Sequence, residues 1–194
     1  MDALSSLNSR GRERTERKLR EIYAAGDAGV RAEAARFLVS WQSSRSLTVA
    51  DEWLEQRPEH GAFTWIVICY ALTSYGDTYD RFTSLFARTD LSDDDIDVLV
   101  DNFASWAAYR DKDPRYRDAL AIIAAYLEHA SPEVRWTAAF SLGTLRATEY
   151  RERLLRLCED KTMTAYGYVS GVARSAVRAI DGEEGVDLHD ASCP

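Results

Sequence analysis

The chain carries little with which to do covalent chemistry. It holds three histidines and three cysteines in 194 residues. His60, His129 and His189 lie far apart, with no Cys, His or Asp at ligand spacing around them, so no zinc site is expected. Asp93-Asp94-Asp95-Ile96-Asp97 lacks the glycine and the alternating spacing of a calcium loop, and is read as a helix start or an acidic contact surface rather than a metal site. Cys69 and Cys158 fall inside helical patterns and Cys193 lies near the C-terminus, which points to a reducing compartment. There is no glycine-rich phosphate loop, no nucleophile elbow, and no Ser/His/Asp set that the sequence places together. No apolar stretch approaches the ~20 residues of a membrane span. The most apolar run, Ala62 to Leu72, suits a buried helix instead. The opening residues Met1-Asp2-Ala3-Leu4 lead into a charged segment and are read as carrying no signal peptide. The expectation is a cytoplasmic protein that is not an enzyme, with no catalytic residue, metal, cofactor or membrane contact.

What the chain does have is a repeat. From Val134 the offsets 0, +4, +7, +8 and +11 give Val134, Ala138, Ser141, Leu142 and Leu145, one stripe of a 3.6-residue helix. The same offsets 35 residues on give Val169, Ala173, Ala176, Val177 and Ile180. Stepping back gives Leu99, Phe103, Trp106, Ala107 and Arg110, then Thr64, Ile68, Ala71, Leu72 and Tyr75, then Val30, Ala34, Phe37, Leu38 and Trp41. Only Thr64, Arg110 and Ser141 break the apolar pattern, in a chain whose overall apolar share is 46%. A period of about 35 residues is the length of one helix–turn–helix unit of the kind that stacks into solenoids.

The wording of the repeat resembles the second helix of HEAT-like repeats. The resemblance rests on Glu133-Val134-Arg135 followed by Ala138-Ala139 and Leu142-Gly143, and on Gly29-Val30-Arg31 followed by Ala34-Ala35 and Leu38. It is clear over residues 27–44 and 113–181 and only periodic between them; at Val169 the family's following Arg is replaced by Ser170. The resemblance implies an all-α, right-handed α-solenoid of about five helix pairs. Length makes it a single domain over residues 1–182, and the residues after Asp181-Gly182 read as a short, acidic, mobile tail over 183–194. The resemblance also implies that the second helices line the concave surface.

Local signals place the helices. Arg10 to Ala25 reads as the first, its basic run (Arg10, Arg12, Arg14, Arg17, Lys18 and Arg20) being either a solvated capping face or a contact for an acidic partner or phosphate. Val30 to Gln42 reads as the second. Thr48 with Asp51 reads as a capping box opening a short helix, and Ser92 with Asp95 as another. Thr78 to Ala87 reads as a helix with Phe82, Leu85 and Phe86 inward. Asp113-Pro114 is expected to cap a helix carrying Tyr116, Leu120, Ile123 and Leu127 on one side. Ser131 is expected to cap the next helix with its hydroxyl, with Pro132 at the first helical position. Glu149–Glu159, a loop over Lys161–Gly167 and a last helix to Ile180 complete the pattern, with no sheet expected.

The acidic charge is concentrated. Residues 51–100 carry 3 Lys/Arg against 11 Asp/Glu, whereas residues 1–50 carry 9 against 6, within a net charge of −8. Asp94, Asp97 and Asp101 share one helical face and, with neighbouring Asp90, form the expected contact for a basic protein partner. Trp136 and Phe140 lie opposite the apolar stripe of their helix, where they either line a groove or pack on their own partner helix; Tyr70 sits at the corresponding offset, and Tyr109 is a further aromatic candidate. The function expected is a non-enzymatic protein-binding module, an adaptor or an acidic inhibitor resembling the immunity proteins that neutralise a toxin or nuclease. The alternative resembles the DNA-alkylation-repeat glycosylases, which hold DNA in the groove of a HEAT array; Trp106, Trp136, Tyr109 and Asp101 would serve there. Gripping phosphates requires a basic groove, and Arg31, Arg36, Arg135, Arg174 and Arg178 are scattered at the two ends, so no nucleic-acid binding is expected. A chromophore lyase of similar repeats ranks below both, since no ligand pocket is legible.

Overall fold

A computed structural model describes residues 2–26, 30, 33–35, 37–38, 46–55, 60–72, 78–183 and 186–187. The described chain is predominantly helical. It divides into two compact units, residues 1–78 and 79–194.

In the first unit, α1 spans Asp2–Ala25, longer at its start than the sequence signals indicate. Gly26 follows it because no larger residue fits. A Cβ there would stand 2.8 Å from Val30 Cγ1 and 2.9 Å from the Ile22 carbonyl oxygen, which already accepts the Gly26 N–H at 2.8 Å. Residues 33–35 and 37–38 are helical. Next come α2 (Ser46–Glu55) and α3 (His60–Leu72), packed on each other. Thr48 lies inside α2 rather than at its start, so the expected Thr48–Asp51 capping box does not form. The Asp51 carboxylate instead accepts the Tyr70 hydroxyl at 2.6 Å, tying α2 to α3. The Tyr70 carbonyl, near the end of α3, accepts the Thr78 hydroxyl at 2.8 Å.

The buried residues of α3 are Phe63, Ile66, Val67, Cys69, Tyr70 and Ala71; of the expected Thr64, Ile68, Ala71 and Leu72, only Ala71 is among them. Leu72 keeps 42% of its surface exposed, and Val30 and Phe37 are likewise exposed where burial was expected, while Ala34 and Leu38 are buried. Trp41 and Tyr75, also assigned to the stripe, lie outside the described residues.

The second unit follows the repeat closely. Its helices are α4 (Tyr79–Phe86), α5 (Asp93–Ala108), α6 (Tyr116–Ala125), α7 (Pro132–Thr144), α8 (Arg151–Leu157) and α9 (Val169–Ile180). They form three successive pairs, α4/α5, α6/α7 and α8/α9, and the second helices pack consecutively, α5 on α7 and α7 on α9. Leu99, Phe103, Trp106 and Ala107, then Val134, Ala138, Ser141 and Leu142, then Val169, Ala173, Ala176 and Val177 are all buried, as the 35-residue register requires. An aromatic cluster fills the first pair: Phe103 lies 5.0 Å from Phe82, 5.2 Å from Phe86 and 5.5 Å from Trp106 between ring centroids.

The capping chemistry is mixed. Ser92 and Asp95 form the expected capping box, each side chain accepting the other's backbone N–H at 3.2 Å. Pro132 occupies the first turn of α7 as expected, but the Ser131 hydroxyl donates to Glu133 at 3.1 Å instead of capping the helix. Asp113 sits before α6, which starts at Tyr116, and pairs with Arg115. The stretch expected as a loop over Lys161–Gly167 contains a two-residue antiparallel ladder, β1 (Met163–Thr164) on β2 (Gly167–Tyr168). Gly167 turns it at a φ of 121°, a conformation that side-chain-bearing residues rarely adopt. Of the expected tail, Glu183 accepts from Arg178 at 2.7 Å, while 184–185 and 188–194 lie outside the described residues.

Candidate functional site

Two groups of residues read separately from the sequence come together in the second unit. Asp97 lies on α5, Trp136 and Phe140 on α7, and the link between them is Tyr166, at the turn of the β1–β2 hairpin. The Tyr166 hydroxyl donates to Asp97 Oδ2 at 3.4 Å. The Tyr166 ring lies 5.1 Å from that of Trp136, which stacks on Phe140 at 5.3 Å with only 11° between the planes. Spacing four residues apart on α7 makes that stack possible, since positions i and i+4 lie one above the other on a helix face.

The electrostatics of Asp97 are unusual. Burial raises its pKa, the nearby hydroxyls of Thr137 and Tyr166 pull the other way, and the Asp101 and Asp94 carboxylates add to the rise. Its charged neighbours are therefore acidic. Its Oδ1 is buried without a hydrogen-bond partner. Burial raises Asp101 as well, although that residue keeps much of its surface in contact with water. Asp97 in turn raises the Tyr166 phenol, its negative charge opposing a second one beside it. Trp136 is only 6% exposed, and its Nε1–H likewise has no partner. Phe140 is half-buried and Tyr166 is 51% exposed.

The other expected contact residues are placed differently. Asp94 is exposed on α5. Asp90, before α5, is clamped by Arg88 through two hydrogen bonds of 2.9 and 2.8 Å, so its charge is compensated within the chain. Tyr109 ends α5 and is 74% exposed. Tyr70 is buried in the first unit with its hydroxyl committed to Asp51, so it offers no contact surface. Trp106 belongs to the aromatic core, with Arg110 5.2 Å above its ring. Among the arginines considered for a phosphate grip, Arg135 is held by Asp160 at 2.8 Å and by the His129 and Ala130 carbonyls, and Arg178 by Glu183. Arg31 and Arg36 lie outside the described residues.

Sequence reasoning missed Tyr166 and Thr137. The signal for Tyr166 was the Tyr166-Gly167 pair, a turn glycine beside an aromatic, which marks a hairpin tip. Among the described residues no three His, Cys, Asp or Glu side chains gather as metal ligands would, and no helix is long and apolar enough to cross a membrane. No protein-family model, curated protein or solved structure matches the chain. Chemically, the cluster offers a carboxylate among other carboxylates beside three aromatic rings. That is an arrangement suited to a cation, through charge and through the negative faces of the rings.

Proposed function

We propose that the chain is a cytoplasmic, non-enzymatic HEAT-like α-solenoid of about five helix pairs that engages a basic protein partner, as an adaptor or an inhibitor of a toxin or nuclease would. The observation that carries this reading is the Asp97 environment: a partly buried carboxylate whose charged neighbours are Asp94 and Asp101, joined through Tyr166 to the Trp136–Phe140 stack. A carboxylate held among like charges gains most from a cation brought by a partner, and aromatic rings at the same place supply the contact area that interface hot spots use. The 35-residue register of α5, α7 and α9 supports the repeat reading, because the first four of the five offsets are buried in each helix. The internal pairing of Arg135 and Arg178 works against the glycosylase alternative, which needs free cations to hold phosphates.

Calorimetric titration with poly-L-lysine tests the reading. Wild-type protein is expected to bind, and Asp97→Asn with Asp101→Asn to weaken binding by about tenfold or more. A control of equal charge change elsewhere, Asp111→Asn with Asp118→Asn, is expected to have much less effect. Equal losses in the two double variants would mean that polylysine reads only net charge and that this face is not a site. Micromolar binding of duplex DNA by the wild-type protein would favour the alternative.

A further inference from the structure

Of the five buried polar side-chain atoms among the described residues of the second unit that lack hydrogen-bond partners, two belong to residues that Tyr166 touches. Asp97 Oδ1 is an acceptor, and Trp136 Nε1–H is a donor on a residue that is 6% exposed. Tyr166 touches both residues, through a 3.4 Å hydrogen bond to the other oxygen of Asp97 and through its ring on Trp136. A buried polar group without a partner destabilises the fold and gains from a partner that binding supplies. The other three, on Trp106, Ser141 and Ser170, belong to residues at most 2% exposed, whereas these two are of opposite sense and their residues flank a half-exposed tyrosine. A metal ion or a simple ammonium would satisfy Asp97 and leave the indole N–H bare. A phosphate would do the reverse and be repelled by Asp94, Asp97 and Asp101.

The ligand class that answers both is a residue with a cationic side chain and a main-chain carbonyl. We infer that this cluster reads one basic residue, arginine or lysine, in an extended segment of the partner: the cation donates to Asp97 Oδ1 while a backbone carbonyl of the same segment accepts from Trp136 Nε1–H. The Trp136, Phe140 and Tyr166 rings bound the stem of the residue. Tyr166 gives way as the segment enters, held back by one long hydrogen bond and standing at the tip of a two-residue hairpin. This inference deepens the partner reading above and rests on it.

The test is a nuclear magnetic resonance titration of the full chain with arginine blocked by acetyl and amide groups, read at the Trp136 indole N–H. That resonance is identified among the five tryptophans as the one missing from Trp136→Phe. Blocked arginine is expected to move it saturably in the millimolar range. Blocked citrulline, which keeps the shape and the carbonyls but not the charge, is expected to bind about tenfold more weakly or worse, and so is blocked arginine with Asp97→Asn. Guanidinium chloride at the same ionic strength is expected to leave the indole resonance in place. Trp136→Phe, which keeps an aromatic ring but loses the donor together with one ring of the indole, is expected to weaken the response at Asp97 several-fold. No saturable shift with blocked arginine, or an equal one with citrulline, would overturn the inference. If polylysine binding still depends on Asp97 and Asp101 in that event, the partner reading stands and only the single-residue recognition falls. If polylysine binding does not depend on them, both fall.

Discussion

Burial raises the Asp97 carboxyl above its ordinary value of 3.8, so the folded protein holds this proton more tightly than the unfolded chain does. Between that value and the raised one the native state binds more protons, and stability falls as pH rises through the window. Asp97→Asn is therefore expected to match the wild type in thermal unfolding near pH 3, where both side chains are neutral, and to be the more stable at pH 7. A variant less stable than wild type at pH 7 would mean that the ionised carboxylate is favoured by its surroundings. Asp113 shows the opposite sign. Hydrogen bonds from Arg115 lower it to about 2, so its contribution is complete above 3.8 and is lost as pH falls towards 2. That pair lies near the surface, where such bridges contribute about 0–1 kcal/mol. Asp113→Asn should accordingly lower stability at pH 7 by no more than that, with the difference vanishing only below pH 2. The contrast separates the two acids by role: one stabilises the fold near α6, and the other is retained at a cost to stability, as binding residues often are.

At the scale of elements, the repeat was legible where each pair keeps its 35-residue spacing and became illegible where that spacing slips. Leu99, Val134 and Val169 start buried stripes 35 residues apart, so one register serves α5, α7 and α9. In α3 the stripe starts at Phe63, 36 residues before Leu99, and nearly every residue from Phe63 to Leu72 is apolar. With apolar residues on all sides, periodicity carries no phase information, and contacts with α2 decide which face is buried. Ile66→Ala should therefore cost about 2–5 kcal/mol and Leu72→Ala well under that, reversing the order that the sequence register implies. Leu142→Ala, at a fully buried position of α7, should also cost about 2–5 kcal/mol in chemical denaturation. The capping signals divide in the same way. Ser92 and Asp95 serve each other locally, so their sequence pattern suffices, whereas Asp51 is claimed by Tyr70 from another helix, which no local pattern reveals.

At the scale of the whole molecule, the acidic excess over residues 51–100 is only part of what makes a site. Asp51 is committed to Tyr70, Asp90 to Arg88 and Asp95 to Ser92, while Asp97 is left among carboxylates. The sequence showed the acidic face of α5 and the aromatic face of α7 separately, because each is periodic within its own helix. Their meeting depends on α5 packing against α7 and on a hairpin whose Tyr166 lies 69 residues beyond Asp97, and helical periodicity does not encode either. Partner binding through this face should weaken with salt, since exposed Asp94 and half-exposed neighbours are screened beyond about 8 Å at 0.15 M ionic strength. The most direct test of the proposed contact face is backbone amide shift mapping of the full chain during titration with an arginine-rich peptide. The largest saturable shifts are expected at residues 94–101, 136–140 and 163–168 together. Saturable shifts confined to the first unit, or spread evenly over exposed carboxylates such as Asp111, Asp118 and Glu152, would contradict it.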